Sequence, residues 1–207
     1  MPLRSTAHYC SLAVLLMRAI ESFQSFFDAC VGAWSTERTY HYLSVQEVER
    51  SHTEFVINAI DPDGKAKVLS DNEYATSIDL ALLRGYHLEF NTVSEHGEKV
   101  SQALNMLFVP DDIDAEVLTG AYLRDRAYEE SKPKIAKFQF NAKPTEKFPL
   151  ELLMTTHYTK VVSVDSITMM NPGLRIRRIF NYRRPPEGQP LSEIGLVGFG
   201  VEQKKGS

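Results

Sequence analysis

Thr155–Tyr182, TTHYTKVVSVDSITMMNPGLRIRRIFNY, decides the fold. It holds two β-rich runs about a break at Asn171-Pro172-Gly173, where proline fixes φ and glycine tolerates a positive one. Side chains alternate faces along a strand. The first run, Thr159 to Met170, therefore sets Val161, Ser163, Asp165 and Ile167 on one side. The second, Leu174 to Tyr182, sets Arg175, Arg177 and Ile179 together, against Leu174, Ile176, Arg178 and Phe180. Taken alone, this is a hairpin with charges facing solvent, since Arg and Asp are mostly exposed. If Asp165 and the two arginines instead share a sheet interior, pairing lowers the cost of burying each charge and leaves polar groups pointing into a cavity.

The rest of the chain reads as many short strands. Trp34 to Val45 and Glu47 to Ile60 are β-like, and Asp61-Pro62-Asp63-Gly64 is read as a hairpin turn. Gly85–Val93 alternates Tyr86, Leu88 and Phe90 against His87, Glu89 and Asn91. Further strands are expected at Ala103–Val109, Leu118–Tyr128, Ile135–Asn141 and Leu150–Tyr158, with a Pro/Gly loop over Arg183–Pro190. The final strand, Glu193–Gln203, places Leu196, Gly198, Gly200 and Glu202 on one face, and the two glycines there leave room beside a carboxylate for something bulky, since a strand glycine often marks close approach of a ligand or another backbone. Ahead of these strands, Phe23, Phe26, Phe27 and Cys30 recur at helical spacing within Glu21–Val31, a short amphipathic helix ended by Gly32. One short helix, many strands and no βαβ alternation predict an all-β, antiparallel lipocalin or fatty-acid-binding-protein-like barrel, a fold that can hold one small ligand.

A chain of 207 residues, 43% hydrophobic and 24% charged, has the length for one well-covered core. Its net charge of -4 argues against nucleic acid or an anionic membrane as the main partner. A local basic cluster, Arg175, Arg177, Arg178, Arg183 and Arg184, could meet a small anion. Cys10 and Cys30 have neither disulfide-framework nor zinc spacing, and the six histidines show no ligand pattern, so no metal is expected. A reducing cytoplasm or plastid stroma fits. The apolar run Ser11–Met17 is too short to span a bilayer and lacks a clear cleavage site. Residues 1–20 are thus read as an extension, either disordered or a product of an over-long gene start, and 21–204 as one domain. Phosphate-loop, dinucleotide, zinc-protease and serine-hydrolase motifs are absent, and no nucleophile for covalent catalysis is evident.

FFDACVGAWSTERTYHYL (Phe26 to Leu43) resembles the opening of the S-type phycobiliprotein lyases, the CpcS/CpeS chromophore lyases, and places Met17 near that family's usual start. GYHLEF (Gly85 to Phe90), LRDRAYEE (Leu123 to Glu130) with Pro133, NPGLRIR (Asn171 to Arg177) and FGVEQK (Phe199 to Lys204) resemble later blocks in the same order. The resemblance implies a barrel that binds a phycobilin, phycocyanobilin or phycoerythrobilin, without a covalent bond and delivers it to a cysteine of a phycobiliprotein α or β subunit as a thioether. By position it implies that Asp165 stands where the family has a Glu contacting the pyrrole nitrogens, that Arg175 is the Arg of an NLR-type motif, and that Glu202 is the carboxylate of the final motif. These three are the expected catalytic residues. Arg38 corresponds to the Arg of the opening motif and is expected to meet a propionate. Arg177, Trp34 and His157, the last standing where many members have Glu, complete the expected bilin-binding set. The acceptor's thiolate would be the nucleophile, which accounts for the lack of one here. A homodimer, or a heterodimer with a related lyase subunit, is left open by the barrel edge and the helix at Glu21. The competing reading is a carrier of a bilin, haem or fatty acid with no transfer chemistry; an assembly protein using the outer barrel face would make the placement of Asp165, Arg175 and Glu202 accidental.

Overall fold

The computed structural model describes residues 18–125, 136–142 and 147–206. Ten antiparallel strands run in chain order around a closed barrel, with β1 (Gly32–Tyr42) pairing β10 (Ile194–Lys204) to complete it. Between them lie β2 (Glu47–Ala59), β3 (Arg84–Ser94), β4 (Lys99–Pro110), β5 (Leu118–Arg124), β6 (Ala136–Asn141), β7 (Leu150–His157), β8 (Val161–Asn171) and β9 (Leu174–Arg183). Closure pairs the first strand with the last; among the described residues β5 covers β4 only from Met106 to Pro110, so the Lys99–Leu104 stretch of β4 pairs with β3 alone. The expected barrel and its strand parities are present. The LRDRAYEE block and the C-terminal part of the expected Leu118–Tyr128 strand fall largely outside the described residues, as do residues 1–17.

Helix α1 (Ala19–Cys30) closes one end. Its apolar stripe, Ile20, Phe23, Phe26, Phe27 and Cys30, is buried because the 3–4 spacing puts all five on one face. Phe23 stacks on Phe138 at a 5.6 Å ring separation and meets Phe140 edge-on at 5.3 Å, while Phe27 lies 5.0 Å from Phe108. Each buried phenylalanine contributes about 1.5–3 kcal/mol, so the helix is held by this aromatic plug. The chain turns from α1 into β1 through Gly32, whose φ of +135° favours glycine.

The Asp61-Pro62-Asp63-Gly64 segment is the start of a second helix, α2 (Pro62–Asp71), rather than a hairpin turn. Asp61 accepts a hydrogen bond from the Gly64 amide at 2.7 Å and Pro62 sits in the first turn, where its missing N–H costs nothing. The same residues suit either role; what decides is the sequence that follows. Val68 of α2 packs with Leu83, Leu107, Val109, Ala121 and Leu123 in a second apolar cluster outside the barrel wall. No helix among the described residues is long and apolar enough to cross a membrane.

The decisive hairpin joins β8 to β9 through Pro172-Gly173, with the Asn171 side chain accepting from the Gly173 amide at 2.9 Å. Its register sets Asp165 opposite Ile179 and Ile167 opposite Arg177, and β10 then sets Glu202 opposite Arg175. Three strands thereby direct Asp165, Arg175, Arg177 and Glu202 inward.

Candidate functional site

A cavity of about 880 Å³ opens away from α1. Its size lies within the range of small-molecule sites, about 300–1,000 Å³. Tyr40, Tyr86, Phe90 and Tyr122 supply flat aromatic wall, and Leu88, Leu104 and Ile179 the aliphatic remainder. Set into that wall are five cationic residues, Arg38, Arg124, Lys160, Arg175 and Arg177, against three anionic ones, Glu49, Asp165 and Glu202. A chain of net charge -4 thus lines its cavity with an excess of positive charge.

At the floor, Glu202 is fully buried and takes two hydrogen bonds from Arg175, from Nε at 2.9 Å and Nη2 at 2.5 Å. Arg38 approaches its other oxygen at 3.5 Å. Burial alone would raise the Glu202 pKa, but the nearby Arg175, Arg177 and Arg38 hold it below the usual carboxylate value. For Arg175, burial disfavours the charge, but Glu202, Cys30 and Tyr86 together outweigh it, so this arginine becomes more basic still. Its guanidinium lies 4.4 Å from the Trp34 ring centroid, and its Nη1 donates to Cys30 Sγ at 3.1 Å. Burial pushes the Cys30 thiol up, Arg175 only partly offsetting it, so this cysteine is held as an unreactive thiol.

Higher on the wall, the Arg177 side chain grips Asp165. Its Nε reaches both carboxylate oxygens at 3.0 and 3.1 Å, and its Nη2 bonds the second. The side chains of this pair are 25% and 16% exposed, against 3% and 1% for Arg175 and Glu202. The wall pair faces the cavity; the floor pair underlies it. Burial also raises the pKa of Tyr86, and brings Tyr122 up to about 12, opposed there by Arg124, so both phenols remain hydrogen-bond donors.

The expected residues Asp165, Glu202, Arg175, Arg177 and Arg38 therefore meet in one cavity. Trp34 and His157 do not line it. Trp34 is fully buried beneath the floor, where its indole N–H donates to the Cys30 carbonyl at 2.8 Å and its ring carries Arg175. Its parity was inward, but its depth places it at the plugged end. His157 is exposed, because β7 turns Leu152, Met154 and Thr156 inward and alternation sends His157 out. The space above the two β10 glycines is likewise filled: a Cβ on Gly198 would lie 2.9 Å from the Tyr40 ring, and one on Gly200 3.1 Å from Arg38 Cγ. These glycines let Tyr40 and Arg38 cross over β10. Tyr40 and Glu49 were not expected at the site, although the period-2 pattern running inward from Arg38 through Tyr40 and Tyr42 was available, and Tyr122 was expected only as part of a strand.

A closed antiparallel barrel, plugged by a helix at one end and open at the other onto a cavity with aromatic walls and paired charges, defines a calycin-like small-molecule-binding protein. A family profile described as CpeS-like protein matches residues 22–205, and the chain belongs to that family. It is 56% identical over 189 residues, 91% of this chain and 99% of the relative, to Chromophore lyase CpcS/CpeS 1 of Synechococcus sp. (strain JA-3-3Ab). Chromophore lyase CpcS/CpeS of Thermosynechococcus vestitus is 22% identical over 74% of this chain and 80% of its own. The solved S-type phycobiliprotein lyase CPES from Guillardia theta shares the fold, with a TM-score of 0.69 at 15% identity over 92% of this chain and 98% of that one.

Proposed function

We propose that this protein is a chromophore lyase that binds a phycobilin in the barrel and transfers it to a cysteine of a phycobiliprotein subunit. The observation that carries the reading is the Asp165–Arg177 pair facing a cavity with excess positive charge. A linear tetrapyrrole combines pyrrole N–H donors, two propionates and a flat conjugated body. The Asp165 carboxylate suits the N–H groups and stabilises the N-protonated, cationic bilin, which makes the ethylidene carbon more electrophilic. Arg38 and Arg177 suit the propionates, since guanidinium pairs carboxylate bidentately. The aromatic wall matches the conjugated body.

In the transfer, the acceptor thiol becomes a thiolate and forms a C–S bond to the exocyclic ethylidene carbon. The π pair of that double bond moves into the ring system, and the proton given up by the thiol is taken up at the adjacent ring carbon. The addition is redox-neutral and releases no second product. The barrel contributes orientation, fixing one bilin conformation while the floor pair keeps the site from collapsing. Kinship with a Synechococcus lyase supports placing the reaction in a cyanobacterial cytoplasm, with a plastid stroma as the alternative.

The test mixes the purified protein separately with phycocyanobilin and phycoerythrobilin, adds an apo-phycobiliprotein subunit, and reads a denaturing gel by zinc fluorescence. A shifted absorbance followed by fluorescence on the acceptor band is expected for the preferred bilin. A shifted absorbance with no transfer to any subunit would replace the lyase by a carrier.

A further inference from the structure

A second concavity, about 750 Å³, opens beside the cavity mouth between the β7–β8 turn and the β9–β10 loop. Lys160, Arg183 and Arg184 line it, and Glu193 is its one acidic residue. It shares Thr159 and Lys160 with the main cavity, so whatever sits in it lies next to the cavity opening. Its walls are fixed by the main chain. The Arg184 amide donates to the Lys160 carbonyl at 2.9 Å, the Arg183 amide to the Glu193 carbonyl at 2.8 Å, and the Arg184 Nη1 to the Tyr158 carbonyl at 2.9 Å. Pro185 and Pro186 stiffen the loop further. Little ordering entropy is then lost when a partner binds.

Arg183 is weakly committed. It meets Glu193 only at 3.6 Å, with both side chains largely exposed, and such a contact is worth little in water. Across the mouth, Glu47 and Glu49 open β2 and the β3–β4 turn carries Glu95 and Glu98, with Arg50, which pairs with Glu95, and Lys99 as the opposing charges. Among the described residues the two sides of the rim therefore differ in net charge, positive where Lys160, Arg183 and Arg184 exceed Glu187 and Glu193 and negative across the mouth, a bias that favours one orientation of a charged partner as it approaches.

We propose that this groove docks the acceptor protein, taking an acidic segment adjacent to the cysteine that receives the chromophore. The proposal rests on the lyase reading above and adds to it the surface that the acceptor uses. A macromolecular occupant fits better than the bilin's own carboxylates, because Arg38 and Arg177 already offer guanidinium partners inside the cavity. A segment seated between Pro185 and Lys160 would also carry its thiol over the opening.

The test uses the full chain loaded with bilin, as wild type and with Arg183→Glu, Ser192→Glu or both, two positions that line the groove and not the cavity. Lys137→Glu, exposed on the outer face of β6, controls for the net-charge change of Arg183→Glu, and Lys137→Glu with Thr119→Glu, also exposed, for that of the double variant. Bilin absorbance is recorded first; the rate of transfer is then followed against acceptor concentration at about 50 mM and about 500 mM salt, conditions that change screening severalfold. The expected result is an unchanged bilin spectrum and a kcat/KM for acceptor about 10-fold lower in the double variant at low salt, a size typical of lost electrostatic steering. The difference should shrink at high salt, leave kcat at saturating acceptor intact, and be missing from both controls. Wild-type transfer by the double variant overturns the proposal. Loss of bilin binding in these variants also overturns it, by assigning the groove to the ligand's carboxylates. Failure of the wild type to load bilin or to transfer it overturns the lyase reading itself and this proposal with it.

Discussion

The floor pair Arg175–Glu202 and the wall pair Arg177–Asp165 each join an arginine to a carboxylate, and their arginines lie two residues apart on β9, yet they are built for different work. The floor pair is closed off from water and tied to the plug: Arg175 rests on Trp34, bonds Cys30 at the end of α1, and shares Glu202 with Arg38. The same helix end is held by Lys204, whose ammonium donates to the Ala29 carbonyl at 3.0 Å. Cations there also complement the helix dipole. The wall pair has no such anchorage and opens to the cavity. A step of two residues, about 7 Å along a strand, separates a charge that supports the site from one that can answer a ligand.

Breaking the floor pair should have the largest effect. Glu202→Gln leaves a buried guanidinium without its counter-charge, a change that costs about 3–5 kcal/mol, measurable by urea unfolding. The acid limb of the stability curve sharpens the assignment. Because the folded state holds Glu202 below its ordinary pKa, its contribution is complete above the unfolded value of about 4.3 and is lost as pH falls through the lower native value. Wild type should therefore lose stability more steeply than Glu202→Gln in that acid window. Equal slopes would mean that Glu202 is not held by its arginines. Arg38→Gln removes the 3.5 Å contact to the buried Glu202 while Arg175 still holds that carboxylate; it should cost about 1.5–3 kcal/mol and weaken bilin binding about 10-fold, each about the worth of one charged hydrogen bond, read by unfolding and by absorbance titration. His157→Ala should change neither stability nor bilin spectrum, since its side chain faces solvent. A lost spectral shift in that variant would place the histidine in the site after all.

Much of this division was legible in the chain. Alternation put Arg175 with Arg177 on one face of β9, Asp165 on one face of β8 and Glu202 on one face of β10, because period 2 is rigid once a strand is recognised. That these faces all point inward did not follow from alternation, and the hairpin taken alone read as solvent-facing. Alternation gives side, however, and not depth. Trp34 and Arg38 have the same parity, yet one lies under the floor and the other beside the cavity, a difference set by where α1 enters the barrel. His157 was readable: Met154 and Thr156 point in, so the residue after Thr156 points out. The glycines at 198 and 200 were correctly read as marking close approach, but what approaches is Tyr40 and Arg38. Asp61-Pro62-Asp63-Gly64 carries turn and helix-start chemistry in the same four residues, and only the apolar cluster under α2 selects between them. Cys30 gave no signal beyond its helical spacing, since its contact with Arg175 joins residues 145 positions apart.

The most direct test of the account is Asp165→Asn, followed in one preparation by thermal melting and by absorbance with the preferred bilin. The substitution keeps the shape and removes the charge at the wall, so the fold should survive with a loss of about 1–2 kcal/mol. The red-shifted spectrum of the protonated bilin, and transfer to the acceptor, should disappear. A spectrum and a transfer rate like those of the wild type would contradict the account, and would leave the wall pair a structural ion pair like the one beneath it.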